Sequence, residues 1–163
     1  MQRRNALIAG LLAAVVLFVG SALAQDPASE VRPETGTFIK GGEMNGMCQL
    51  DIINNGANDA VAYLSTLDKK LIAAVYIRGD ESFNLTGIDA GSYEFYFKQG
   101  RSWSNSTGRF ALNATSSRMQ EPMVFEIQKT PEGVRYTWGQ ITLEEVPDGN
   151  AVVVPVGEED FPA

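Results

Sequence analysis

The sequence predicts an all-β protein, an antiparallel sandwich of about seven to nine strands. Three observations lead there. From Thr35 onward, short runs with an apolar residue at every second position are cut by turn residues about every eight to twelve positions. The turns carry the residues that hairpins need, above all Asn54-Asn55-Gly56 and Asp89-Ala90-Gly91, where Asn and Gly accept positive φ. Beyond the N-terminal segment, no window of about 12 residues combines a 3.6-residue apolar period with helix caps.

The elements follow in order. Residues 47–53 form the first clear strand, with Cys48, Leu50 and Ile52 on one face, and it stops at the Asn-Gly turn. Residues 59–67 run back with Ala60, Ala62 and Leu64 inward. Asp68-Lys69-Lys70 turns into the strongly apolar residues 71–78, and Gly79-Asp80-Glu81 turns again into residues 82–88. The best-patterned strand, residues 92–98, alternates Tyr93, Phe95 and Phe97 with Glu94, Tyr96 and Lys98. After an irregular stretch, "FKQGRSWSNSTGRF", residues 109–114 read as a short strand and 123–128 as a better one. Residues 134–146 form a last long run that breaks phase at Gly139. A bulge there brings Tyr136 and Trp138 to the same core face as Ile141 and Leu143; without it the two aromatics form an exposed platform. The bulge is the expected reading. Residues 151–156 read as an edge strand, and residues 157–163 as a loose acidic tail.

The first 24 residues, with Arg3 and Arg4 ahead of an apolar run and Ala22-Leu23-Ala24 after it, predict a cleaved signal peptide. The polar stretch 25–34 reads as a flexible lead-in, and 35–156 as the sandwich domain. Cleavage leaves 139 of the 163 residues, enough for one domain without staples. The expected location is therefore periplasmic or extracellular, with no membrane insertion once the signal is removed. Cys48, the single cysteine, cannot form an internal disulfide and is expected to pack as a small buried hydrophobe.

Charge and composition narrow the function. Removing Arg3 and Arg4 leaves 11 basic residues against 20 acidic ones, a net charge of −9 that repels phosphate backbones, so nucleic acid is excluded as a partner. There is no histidine, which rules out Ser-His-Asp and Cys-His catalysis and removes the commonest zinc ligand. The lysines show no Ser-x-x-Lys spacing. The expectation is a protein that is not an enzyme and uses no cofactor and no metal; a histidine-free hydrolase is the last alternative.

Three stretches, "GMCQLDIINNGANDAVAYL", "AAVYIRGDESFNLTGIDAGSYEFYFKQGRSWS" and "YTWGQITLEEV", resemble a group of uncharacterised exported bacterial β-sandwich proteins. Gly87-Ile88-Asp89-Ala90-Gly91-Ser92-Tyr93 is also similar to the Gly-Tyr hairpin of prealbumin-like modules, such as carboxypeptidase regulatory-like domains and the B-type repeats of collagen adhesins. The likeness spans about residues 36–150 and implies an immunoglobulin-like or prealbumin-like sandwich. Modules of that kind mostly bind, space or stabilise, so no catalytic residue follows from it.

Beside the alternative Tyr136–Trp138 platform, two clusters are candidate sites. Arg101, Trp103, Asn105 and Arg109 place an aromatic ring among planar polar groups and two cations, a set suited to stacking a pyranose and holding a carboxylate. The competing role for Trp103 is a plug over the open end of the sandwich, its indole N–H bonded to a carbonyl. Asn54, Asn55, Asn58 and Asp59 gather hard oxygens of the kind calcium takes, though only one carries charge and an Asn-Gly turn needs no ion. The expected function is a non-catalytic extracytoplasmic module that binds a protein, a glycan or envelope material through loop residues. The alternative is an accessory module pairing through an edge strand.

Overall fold

The computed structural model describes residues 32–144 and 152–162. The predicted signal segment and residues 25–31 of the predicted lead-in lie outside the described residues. Among the described residues no helix is long and apolar enough to cross a membrane.

The strands are β1 (Phe38–Gly41), β2 (Cys48–Asn54), β3 (Asp59–Thr66), β4 (Leu71–Ile77), β5 (Glu81–Ile88) and β6 (Gly91–Ser104). They continue with β7 (Arg109–Met119), β8 (Met123–Phe125), β9 (Ile127–Thr130), β10 (Gly133–Tyr136), β11 (Trp138–Thr142) and β12 (Val153–Pro155). A short 3-10 turn, Glu158–Asp160, closes the chain. The all-β class is the one the alternation predicts. The twelve described strands exceed the expected number, because the expected runs 123–128 and 134–146 are each divided and β1 adds an edge.

The larger sheet runs β1-β4-β3-β6-β7-β12, with β8 pairing the start of β6. The smaller sheet is β11-β2-β5, and β9 and β10 form a separate two-stranded ribbon. All described pairings are antiparallel except β11 with β2. The two sheets meet through one core. Cys48, Leu50 and Ile52 of β2, Leu85 and Ile88 of β5 and Ile141 of β11 pack against Ala62, Leu64, Val75, Ile77, Phe95 and Phe97. Strict alternation along β2 puts Cys48, Leu50, Ile52 and Asn54 inward and leaves Gln49, Asp51 and Ile53 facing out. The Cys48 thiol is buried and its Sγ lies 3.5 Å from the Glu126 carbonyl oxygen, as a small packed hydrophobe with a weak donor.

The sequence pattern does not announce a second apolar cluster on the opposite face of the larger sheet. Val61, Tyr63, Ala74, Tyr76, Tyr96, Trp103 and Phe110 are buried together there, with Val156 and Phe161 packed on top. The central strands β3 and β4 are thereby buried on both faces, which is why they read as near-continuous apolar runs. The expected loose tail is corrected by this packing. Phe161 sits 5.1 Å from Tyr63 and 5.4 Å from Tyr96, ring centroid to ring centroid, and Glu158 takes the Lys98 ammonium at 2.7 Å. Lys98 also lies 4.5 Å from the Phe161 ring centre, so a cation in an otherwise apolar cover is both paired and stacked.

The irregular stretch 97–110 is mostly strand. β6 continues to Ser104, residues 105–108 turn, and β7 returns alongside. The ladder shifts register between Gln99 and Arg101, and Ser102 has φ +56. The extra residue lies in β7, where Asn113 has φ +52, and the left-handed Ser102 breaks the side-chain alternation of β6. Phe95 and Phe97 face the inter-sheet core, whereas Trp103, of the same parity, joins the outer cluster with Tyr96. Gly100 permits the crossing, since a Cβ there would meet Phe110 Cβ at 2.5 Å and the Leu112 carbonyl oxygen at 2.9 Å. Gly100→Ala is therefore expected to lower stability by about 1–3 kcal/mol. An unchanged urea midpoint would show that β7 does not approach β6 as closely as this packing requires.

Candidate functional site

Each sequence-predicted residue of the β6–β7 hairpin has a definite place. Trp103 is only 5% exposed; its ring centre lies 4.9 Å from Phe110 and 6.0 Å from Tyr76. Its indole Nε1–H donates to Asn105 Oδ1 at 2.8 Å. Trp103 is thus the plug, and the stacking ring expected of this cluster is absent. Arg101 Nε–H donates to Asn58 Oδ1 at 3.0 Å, whereas Arg109 Nε stands 3.6 Å from Glu158 Oε2. The two cations serve different neighbours and do not converge on a shared ligand position.

The Asn54 to Asp59 cluster is an internal brace. The Asn54 side-chain nitrogen is within hydrogen-bond reach of the carbonyls of Asn58, Ile77 and Arg78, at 2.9, 3.3 and 3.1 Å. Asp59 accepts from Arg32 Nε at 2.7 Å, from the Tyr76 hydroxyl at 2.6 Å and from the Gly79 N–H at 2.9 Å, while the second Arg32 nitrogen holds its other oxygen. Burial alone would raise the Asp59 carboxyl, but these donors outweigh it and hold the group below its ordinary range. The Tyr76 phenol is pushed above its ordinary range, first by burial and then by the Asp59 carboxylate it donates to. The carboxylate is spent on protein donors, which replaces the calcium reading. Among the described residues, no group of three or more Cys, Asp or Glu side chains is placed to hold a metal ion.

The most exposed aromatic among the described residues is Trp138. The expected bulge at Gly139 is not formed: β11 pairs with β2 in unbroken register from Trp138 opposite Gln49 to Thr142 opposite Ile53. The expected strand divides at Thr137 instead, whose N–H donates to the Glu126 carbonyl at 3.0 Å. Period two then does the rest. Ile141 and Leu143 are buried, so Trp138 and Gln140 face outward, and Trp138 is 69% exposed. Tyr136, the last residue of β10, is also exposed. The core position expected for both aromatics is corrected on these grounds.

Trp138 is not a free rotor. Its Nε1–H donates to Asp51 Oδ2 at 2.7 Å, one strand across, and Asp51 Oδ1 accepts from Asn84 Nδ2 at 2.5 Å on the next strand. The register places Asp51 opposite Asn84 and Gln140 opposite Asp51, so one polar row crosses all three strands. This row holds the indole along the outer face of β2 while most of its surface stays in water. Sequence reasoning named Trp138 but placed it inward. The usable signal was the uninterrupted parity from Trp138 to Leu143, which puts the indole outside if no bulge intervenes.

A groove of about 1240 Å3 lies on the other side of β11, where the larger sheet extends beyond the smaller one. Its walls include Phe97, Met119, Met123, Ile141, Leu143 and Glu144. Gln99 Nε2 donates to Glu144 Oε1 at 2.9 Å, whereas the buried Glu144 Oε2 has no hydrogen-bond partner among the described residues.

These features together describe an all-β protein with one tethered, exposed indole on a sheet face whose other outward residues are polar except Ile53. The chain matches no protein-family model, and neither the curated proteins nor the solved structures contain a significant match.

Proposed function

We propose that the protein is a non-catalytic extracytoplasmic binding module, and that its contact surface is the outward face of β11, β2 and β5. The observation that carries this reading is Trp138, a large aromatic that is exposed yet held in place by Asp51. An aromatic kept out of a core at this position contributes little to burial, and pre-ordering it lowers the entropy lost on binding. Exposed rings with few rotatable bonds are also common anchors of recognition surfaces. The proposal moves the site from the hairpin residues Arg101, Trp103, Asn105 and Arg109 to the sheet face, because the hairpin ring is buried.

A capture experiment from extracts of the producing cell's envelope tests the reading. Wild type and Arg101→Ala are expected to retain the same material, and Trp138→Ala to lose it. Equal retention by all three would overturn the proposal. The accessory alternative is favoured by one observation, the edge of β11 that faces the groove and pairs with no described strand. It makes the opposite prediction for Trp138→Ala, whose backbone edge is unchanged.

A further inference from the structure

The chemistry of this face is selective. The ring of Trp138 offers an apolar plane in water, and around it stand amide, hydroxyl and carboxylate groups: Gln49, Asp51, Asn84, Thr86 and Gln140. Neighbouring strands lie about 4.7–4.9 Å apart, so this polar set flanks the indole on its β2 side at the scale of a single sugar ring. The outward positions of β2, β5 and β11 include no Lys and no Arg. The one carboxylate, Asp51, already receives two N–H donors, and its remaining lone pairs point to acceptor duty.

Each class of occupant meets these facts differently. A phosphate, sulfate or uronate would approach a carboxylate with no cation to pair with, on a protein of net charge −7. A protein partner would need an apolar centre of several desolvated side chains, and here the outward residues paired beside the indole, Gln49, Asp51, Asn84 and Gln140, are polar, with Ile53 four residues along β2 from the partner of Trp138. A lipid surface would find neither a basic patch nor an apolar stripe. A neutral sugar fits. The C–H-rich face of a pyranose lies on the indole, its hydroxyls donate to Asp51, Gln49 and Gln140 carbonyl oxygens, and its ring and hydroxyl oxygens accept from the amide N–H groups of Asn84 and Gln140.

We infer that the outer face of β11, β2 and β5 is a binding site for neutral, pyranose-containing glycans, with Trp138 as the stacking platform and Asp51, Asn84 and Gln140 as the hydrogen-bonding row. The inference rests on the proposed binding face and names its ligand class. The Trp138–Asp51–Asn84 chain fixes the platform before the sugar arrives, so little ordering remains to be done on contact.

The test is affinity electrophoresis of the purified full chain through gels containing neutral polymers (glucan, mannan, galactan, xylan) or an acidic one (polygalacturonate). At least one neutral polymer is expected to retard wild type. Trp138→Ala should weaken that retardation by about tenfold or more, Trp138→Tyr should keep part of it, and Gln140→Ala should weaken it without changing the near-UV spectrum. Polygalacturonate should cause no retardation that depends on Trp138. Retardation by none of the neutral polymers, or equal retardation of wild type and Trp138→Ala, would overturn the glycan assignment. If Trp138-dependent capture of a protein from envelope extracts persists in that case, the binding face stands and only its ligand class falls. If Trp138→Ala matters in neither assay, both readings fall.

Discussion

Trp103→Ala is expected to destabilise the protein by about 3–5 kcal/mol, the range for removing a buried large aromatic. The indole fills the space between Tyr76 and Phe110 under the β6–β7 hairpin, and its N–H is satisfied by Asn105. Truncation removes two edge-on ring contacts, opens a cavity and frees the turn that Asn105 helps to close. The measurement is a urea titration, in which the midpoint should fall with little change in slope. The companion Trp138→Ala should move the midpoint by no more than about 0.5 kcal/mol, as a surface substitution does. The two tryptophans are therefore expected to separate completely, one governing stability and the other binding. A Trp103→Ala loss below about 1 kcal/mol would be too small for a buried aromatic, and the placement of Trp103 in the outer cluster would have to be abandoned.

Asp59→Ala carries the second large effect. The Asp59 side chain is 9% exposed while that of its partner Arg32 is 55% exposed, so this is a half-buried pair. Its deletion also strands the Tyr76 hydroxyl, inside the outer cluster, and the Gly79 N–H. A loss of about 2–4 kcal/mol is expected, below the extreme for a fully buried pair because Arg32 remains in contact with water. Arg32→Ala should lose less, since Asp59 keeps its other two donors. The same site predicts an acid limb. A carboxyl held below its unfolded value contributes stability that is complete above the unfolded pKa, about 3.9, and is lost as pH falls through the native one. Asp59→Asn should flatten that limb relative to wild type. An identical slope of stability against pH below about 4 in both proteins would show that Asp59 is not ionised within the brace.

The predicted and observed elements part company at specific residues. Strands β2, β3, β4 and β6 were legible because an inward set such as Cys48, Leu50 and Ile52 follows from period two within one segment. The burial of Cys48 followed for the same reason. Trp103 and Trp138 were each placed by a phase argument, and phase fails wherever the ladder gains or loses a residue. Between Gln99 and Ser104 the aromatic alternation showed neither the extra residue of the facing β7 nor the left-handed Ser102, beyond which Trp103 lies on the other face of the sheet. At Gly139 the expected bulge is absent; a strand break two residues earlier absorbs the phase change, and Trp138 stays outside. The acidic tail was read from composition alone. Its placement depends on Phe161 finding Tyr63 and Tyr96, residues from two distant strands that become neighbours only in the folded sheet.

The sequence by itself determined the all-β class, the positions of the central strands and the side chains that face the inter-sheet core. These follow from alternation and turn chemistry, which act over a few residues. Only the tertiary structure decided which tryptophan is buried, that Asp59 is a brace held by Arg32 and Tyr76, and that Trp138 lies tethered on an open polar face. The physical reason is that register and sheet partnership are set between segments far apart in the chain. A one-residue shift in that pairing exchanges the core face for the solvent face.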